Sequence, residues 1–193
     1  MVQPSLSIVV PVYNSEESLA RLIERLMPVL RSCCLKAEVI LINDGSRDGS
    51  WDCIRHLAAA EPGIRAINLM RNYGQHNAVL CGIRAARYEW IVTIDDDLQH
   101  PPEEIPKLLE SLRQGYDVVY GTPEHEVHGI WRDAASRVTK LALQSAMGAS
   151  TARHVSAFRA FRTGLRKGFA DFGGPFVSID VLLTWATTRF TAV

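Results

Sequence analysis

The chain has 193 residues, 47% of them hydrophobic and 22% charged, a balance that builds a globular core and excludes a disordered or fibrous protein. Lysine and arginine together number 21, as do aspartate and glutamate, so no net charge marks a nucleic-acid binder. The charge is unevenly spread. Residues 128–170 carry eight basic side chains (Arg132, Arg137, Lys140, Arg153, Arg159, Arg162, Arg166 and Lys167) against Asp133 alone, while the preceding residues are acidic in excess. That asymmetry points to a basic face suited to an anionic substrate or an anionic membrane surface, or more plainly to a solvated helical face.

Leu6 to Val12 is a continuous apolar run that reads as a buried parallel strand, ended by Tyr13-Asn14. From Glu16 to Leu30 the residues Leu19, Leu22, Ile23, Leu26 and Leu30 fall on one stripe of an amphipathic helix. Strand 37–42 breaks at Asn43-Asp44-Gly45-Ser46, and helix 50–60 follows. Then come strand 64–69, helix 76–86, strand 90–94 running into Asp95-Asp96-Asp97, helix 102–114 and strand 117–120. Strand and helix alternate, so the rhythm predicts an α/β fold with a mostly parallel sheet and right-handed crossovers.

Beyond Gly121 the pattern weakens. It predicts a polar loop, a helix from Trp131 to Met147, a strand over 156–161, a short helix over 164–170, a helix over 178–187 and a strand over 189–193. Four cysteines without a CxxC pair argue against zinc and a disulfide framework, and for a reducing compartment. The N-terminal MVQPSLSIVVPVYN lacks the basic start of a signal peptide, and no run of about 18 apolar residues predicts a membrane span.

Ligands of open parallel sheets bind outside the carboxyl ends of the strands. Three features fall there: Pro11-Val12-Tyr13-Asn14, Asn43-Asp44-Gly45-Ser46 and Asp95-Asp96-Asp97-Leu98-Gln99. Neither GxGxxG nor GxxxxGK is present, which removes the dinucleotide and P-loop readings. Crowded aspartates raise one another's pKa unless a cation intervenes. Asp95 and Asp97, two apart, share one side of an extended segment, and their hard oxygens suit Mg²⁺ or Mn²⁺, with Asp96 pointing away. An acidic turn capping the next helix is the plainer use of the same residues. Asp44 either holds a turn or accepts a hydrogen bond from a base or ribose, and Tyr13 either packs or stacks on that base. His76 and His100 flank the crevice without a nucleophile or metal partner and receive no catalytic role.

Four segments, VVPVYNSEESL at 9–19, LINDGSRDGS at 41–50, LMRNYGQHNAVLCGI at 69–83 and IDDDLQHPPEEIPKL at 94–108, together resemble the family 2 inverting glycosyltransferases of the GT-A fold, in the polyprenyl-phosphate branch. The resemblance implies a Rossmann-like, mostly parallel sheet flanked by helices. It implies that Asp44 contacts the nucleotide base, that Pro11, Tyr13 and Asn14 line the same pocket, and that Arg71 and Gln75 face the donor. It further implies that Asp95 and Asp97 hold the donor diphosphate and its Mg²⁺ or Mn²⁺ with Gln99, and that Arg132 and Arg159 lie near the acceptor phosphate. A sugar would pass from a nucleotide diphosphate to a polyprenyl phosphate at the cytoplasmic face of the membrane, with no nucleic-acid partner.

Such an acceptor is already anionic, so a general base is less necessary than for a sugar hydroxyl. A saccharide-hydroxyl acceptor would need one, for which Asp180 and Asp171 are the candidates, although Asp180 stands where close relatives are apolar. A non-catalytic nucleotide-sugar module is the remaining alternative. The expected organisation is one GT-A-like domain over residues 1–193, lacking a C-terminal acceptor loop and membrane segment.

Overall fold

The computed structural model describes residues 3–122, 155–174 and 176–193. Strand β1 (Ser5–Val12) is followed by α1 (Glu16–Cys33), β2 (Lys36–Asn43), α2 (Ser50–Ala60), β3 (Ile64–Asn68), α3 (Gln75–Ala85) and β4 (Trp90–Thr93). A 3-10 turn at Pro102–Glu104 leads into α4 (Ile105–Arg113) and β5 (Val118–Tyr120). Then come β6 (Arg159–Arg162), a 3-10 segment Thr163–Phe169, α5 (Ile179–Ala186) and β7 (Phe190–Ala192). The helix expected from Trp131 to Met147 lies outside the described residues.

The seven strands form one sheet in the order β3-β2-β1-β4-β6-β5-β7. Pairing is parallel except at β6, which runs antiparallel to both β4 and β5. The sheet is therefore mixed. The sequence at 156–161 signals a strand but carries no mark of its direction.

Side chains alternate across the sheet, as strand geometry requires. Leu6, Ile8, Val10 and Val12 of β1 face one core, built with the buried stripe of α1 and with Leu108, Leu109 and Leu112 of α4. Val9, Ile40, Ile42, Ile91 and Phe161 face the other, covered by α3 and α5. The five predicted stripe residues of α1 are all buried, each contributing about 1.5–3 kcal/mol of apolar burial.

Helix α3 is rich in small residues because it lies close against the sheet. A Cβ added at Gly82 would run into the Val9 side chain and come within 2.8 Å of Ile42 Cδ1. On an exposed helix, glycine to alanine stabilises by about 1 kcal/mol. Gly82→Ala is expected to reverse that sign and destabilise by about 1–3 kcal/mol through overpacking. A urea midpoint that rises in the variant would contradict this packing.

Candidate functional site

The chain leaves β1 toward β2 and β3 on one side and returns to place β4 on the other. The strand order thus reverses between β1 and β4, and a crevice opens at their carboxyl ends. A cavity of about 280 Å³ occupies that position, bounded by Pro11, Val12 and Tyr13 after β1, Asp44 after β2, Asn72 and Gln75 before and at the start of α3, and Asp95, Asp96 and Asp97 after β4. Of the residues singled out from sequence, Pro11, Tyr13, Asp44, Gln75, Asp95 and Asp97 come together here. Tyr13 is 45% exposed, which leaves its ring available to a ligand.

Hydrogen bonds between loops hold this rim. Asp44 is 2% exposed, and its carboxylate accepts the backbone N–H groups of Tyr73 (2.7 Å) and Gly74 (2.9 Å). Its observed work is thus to fix the loop before α3 while it borders the cavity. Gly45, at φ +68°, makes the next turn, and a Cβ there would lie 2.5 Å from backbone atoms of Arg71 and Asn72. Asn14, at φ +53°, does not line the cavity. It donates its N–H to Ser46 Oγ at 3.0 Å and accepts from Arg47 N–H at 2.8 Å, tying the first two loops. Glu16 and Asp48 extend the tie, Glu16 accepting from Gly49 N–H (3.0 Å) and donating its own N–H to Asp48 (3.2 Å). These partners stand about thirty residues apart in sequence, and no local pattern announces them.

Asp95 follows β4 outside the strand and Asp96 and Asp97 occupy a turn, with Leu98 at φ +61° directly after them. Asp95 accepts a hydrogen bond from Gln75 Nε2 at 2.6 Å. Asp96 turns toward the hydrogen-bonding groups of Ser15 and Tyr13, yet it lines the same cavity. Asp97 is exposed and accepts the Gln99 backbone N–H at 3.0 Å; Gln99 itself does not bound the cavity. Burial, and then the neighbouring Asp97 charge, push the Asp95 carboxyl up to about 6 against the opposing pull of Gln75 and Arg159. Burial also raises Asp96.

Among the described residues no three or more His, Cys, Asp or Glu side chains gather into a metal-holding group. The donor set still fits a hard divalent cation, because Asp95 and Asp97 bring carboxylate oxygens to one rim under like-charge repulsion that a cation would relieve.

Other predicted residues lie elsewhere. Arg71 is exposed, its guanidinium 4.6 Å from the Tyr73 ring centre. Arg159 is 3% exposed and ion-paired with Asp180, so it is buried on the α3 and α5 side of the sheet and does not border the cavity. Asp180, the candidate base, is committed to that pair and to the Tyr120 hydroxyl at 3.0 Å. Arg132, Trp131 and Arg153 lie outside the described residues. Within the basic segment, Arg162 bonds Asp117 and the Leu112 carbonyl, and Arg166 bonds the carbonyls of Ile83 and Ala86. Arg159, Arg162 and Arg166 of the basic segment thus serve internal partners, while Arg137 and Lys140 also lie outside the described residues. His100 stacks on Phe158 at 5.2 Å.

A wider groove of about 620 Å³ runs past Glu16, Asp52, Cys53 and His56 along α2. It does not include the aspartates after β4, and burial pushes its Cys53 thiol up rather than activating it.

Residues 7–170 match the family model for glycosyl transferase family 2. The chain belongs to glycosyl transferase family 2. It is 41% identical over 191 residues to an undecaprenyl-phosphate 4-deoxy-4-formamido-L-arabinose transferase of Serratia proteamaculans, covering 97% of this chain and 58% of the relative. A protein of the same name from Aeromonas hydrophila is 43% identical over 159 residues, covering 81% of this chain and 48% of the relative. The chain thus spans about half the length of the relatives it matches.

Among solved structures, the mannosyltransferase PcManGT from Pyrobaculum calidifontis, in complex with GDP-Man and Mn²⁺, aligns with a TM-score of 0.67 at 19% identity, over 100% of this chain and 55% of that one. The glucosyl-3-phosphoglycerate synthase of Mycobacterium tuberculosis, in complex with Mn²⁺, UDP and phosphoglyceric acid, aligns with a TM-score of 0.66 at 20% identity, over 98% of this chain and 68% of that one. These likenesses establish the shared GT-A, Rossmann-like α/β fold. No helix among the described residues is long and apolar enough to cross a membrane.

A carboxyl raised to about 6 disfavours its ionised form in the folded chain, so its contribution to stability is present at low pH and is lost as pH rises through about 6. Asp95→Asn keeps an acceptor for Gln75 and removes that loss. The variant is expected to be more stable than the unsubstituted chain by on the order of 1–2 kcal/mol at pH 7.5 and equally stable at pH 4, read from urea unfolding. Equal stability at pH 7.5 would contradict the crowding.

Proposed function

We propose that the chain is the donor-binding part of a glycosyltransferase that moves a sugar from a nucleotide diphosphate to a polyprenyl phosphate, with inversion and with Mg²⁺ or Mn²⁺, at the cytoplasmic face of the membrane. The observation that carries this reading is the convergence of Tyr13, Asp44, Asp95 and Asp97 on one cavity at the β1/β4 switch point. The names of the relatives at 41–43% identity support the acceptor class. In this reading the base sits by Tyr13 and Asp44, and the diphosphate runs toward the aspartates. Asp95 and Asp97 would hold the cation, with Gln99 as a further ligand. Bound there, the cation would supply charge neutralisation for the departing diphosphate.

The residues of the chain do the rest. Gln75 keeps Asp95 in place through its 2.6 Å bond. The Asp44 bonds to Tyr73 and Gly74 keep the wall of the cavity fixed, so the donor is oriented before the acceptor arrives. A polyprenyl phosphate attacks with an oxygen that is already anionic. The buried, ion-paired state of Asp180 supports this over a saccharide-hydroxyl acceptor, which would require a free base near the cleft. The second candidate, Asp171, lies exposed after the 3-10 segment and does not line the cavity. Arg132 is assigned to the acceptor phosphate, and the membrane surface supplies the lipid substrate.

Calorimetry with UDP-, GDP- and dTDP-sugars in Mn²⁺ or Mg²⁺, followed by transfer to undecaprenyl phosphate, tests the reading. Asp97→Ala is expected to lower metal-dependent transfer by roughly 100-fold or more with an unchanged fold. Arg132→Ala is expected to raise the KM for the lipid phosphate roughly tenfold while donor affinity stays within about twofold. Full transfer by the Asp97 variant would remove the proposed cation role.

A further inference from the structure

On the α3 and α5 side of the sheet lies a buried ionic cluster that the cavity does not use. In the strand register Arg159 sits opposite Thr93 of β4 and Tyr120 of β5. Directly opposed residues share a sheet face, so these three side chains form one row, and Asp95 lies two residues beyond Thr93. Arg159 is 3% exposed and Asp180, from α5, is 7% exposed. Their ion pair is reinforced by the Tyr120 hydroxyl, which donates to Asp180 at 3.0 Å, while Arg159 Nε has no partner of its own.

Helix α3 connects the row to the cavity. Gln75 donates to Asp95, and the Nδ1 of the next residue, His76, lies 3.5 Å from the Ile179 N–H beside Asp180. The Arg159 charge reaches both Asp95 and His76.

A buried guanidinium stripped of its carboxylate is costly. Because its charge reaches Asp95, it would also act on anything bound there. An unbalanced cation behind the aspartates repels a divalent ion, and low-dielectric surroundings lengthen the reach of that repulsion. We propose that Asp180 is a positioning residue for the donor site: by pairing with Arg159 it fixes the guanidinium behind Asp95 and cancels enough of its charge for Asp95 and Asp97 to hold a divalent cation. The assignment rests on the cation reading of the cleft given under the proposed function.

The test is a titration of the full chain with Mn²⁺ alone, above neutral pH and at low salt, following free Mn²⁺ by electron paramagnetic resonance. Asp180→Asn unmasks Arg159 and is expected to weaken Mn²⁺ binding roughly tenfold. Arg159→Gln leaves the Asp180 carboxylate hydrogen-bonded and unbalanced, and is expected to tighten binding roughly threefold. The double variant should return to within about threefold of the unsubstituted chain. A pair with a merely structural role would shift both single variants in the same direction.

If the unsubstituted chain binds Mn²⁺ and the two single variants move together, or neither moves, the role of Asp180 is overturned while the cation site stands. If the unsubstituted chain binds no Mn²⁺, the cation reading fails and the role of Asp180 falls with it. Should Asp180→Asn not fold, Arg159→Gln decides alone, and an unchanged affinity overturns the proposal.

Discussion

Three consecutive carboxylates at the mouth of a buried strand repel one another, and the fold must hold them together against that repulsion. Strand β4 delivers them: Trp90, Ile91, Val92 and Thr93 are buried, so Asp95 emerges where the sheet ends and water begins. Burial and Asp97 together raise Asp95, and a cation held there, as proposed, would relieve that repulsion. A site built this way is destabilised when empty and gains most from the ligand it is shaped for, the usual trade between stability and function.

The opposite wall of the cavity is rigid for a different reason. Asp44 spends its carboxylate on two backbone N–H groups, and Gly45 allows the backbone of the loop after β3 to approach where no side chain would fit. Asn14, Ser46, Asp48 and Glu16 then bind the first two loops to each other. A mobile rim would lose binding energy to ordering at every encounter. Here much of that ordering is completed during folding, by side chains that a ligand need not touch.

The repeated strand and helix of residues 5–113 were legible because β1, β2 and β4 carry apolar runs and α1 carries an unbroken stripe. Boundaries moved by only a few residues, as at α1, which continues to Cys33. The gathering of Asp44, Asp95 and Asp97 was legible too, since topology alone puts those strand ends together. The direction of β6 was not, because four residues such as Arg159–Arg162 carry no pattern that distinguishes one direction from the other. The partners of Arg162 and Arg166 were not legible for a related reason: composition counts charges but not partners, and these two find theirs in Asp117 and in carbonyls at the ends of α4 and α3. The Arg159–Asp180 pair and the Asp44 bonds join residues 21 and about 30 positions apart, beyond the reach of any local periodicity.

The most direct measurement is a crystal structure of the chain with a nucleotide-diphosphate sugar and Mn²⁺. The account predicts the base against Tyr13 and Asp44 and the diphosphate beside Asp95 and Asp97, with the metal between them. Density for the nucleotide in the groove along α2, past Glu16 and His56, with the β1/β4 crevice empty, would contradict it.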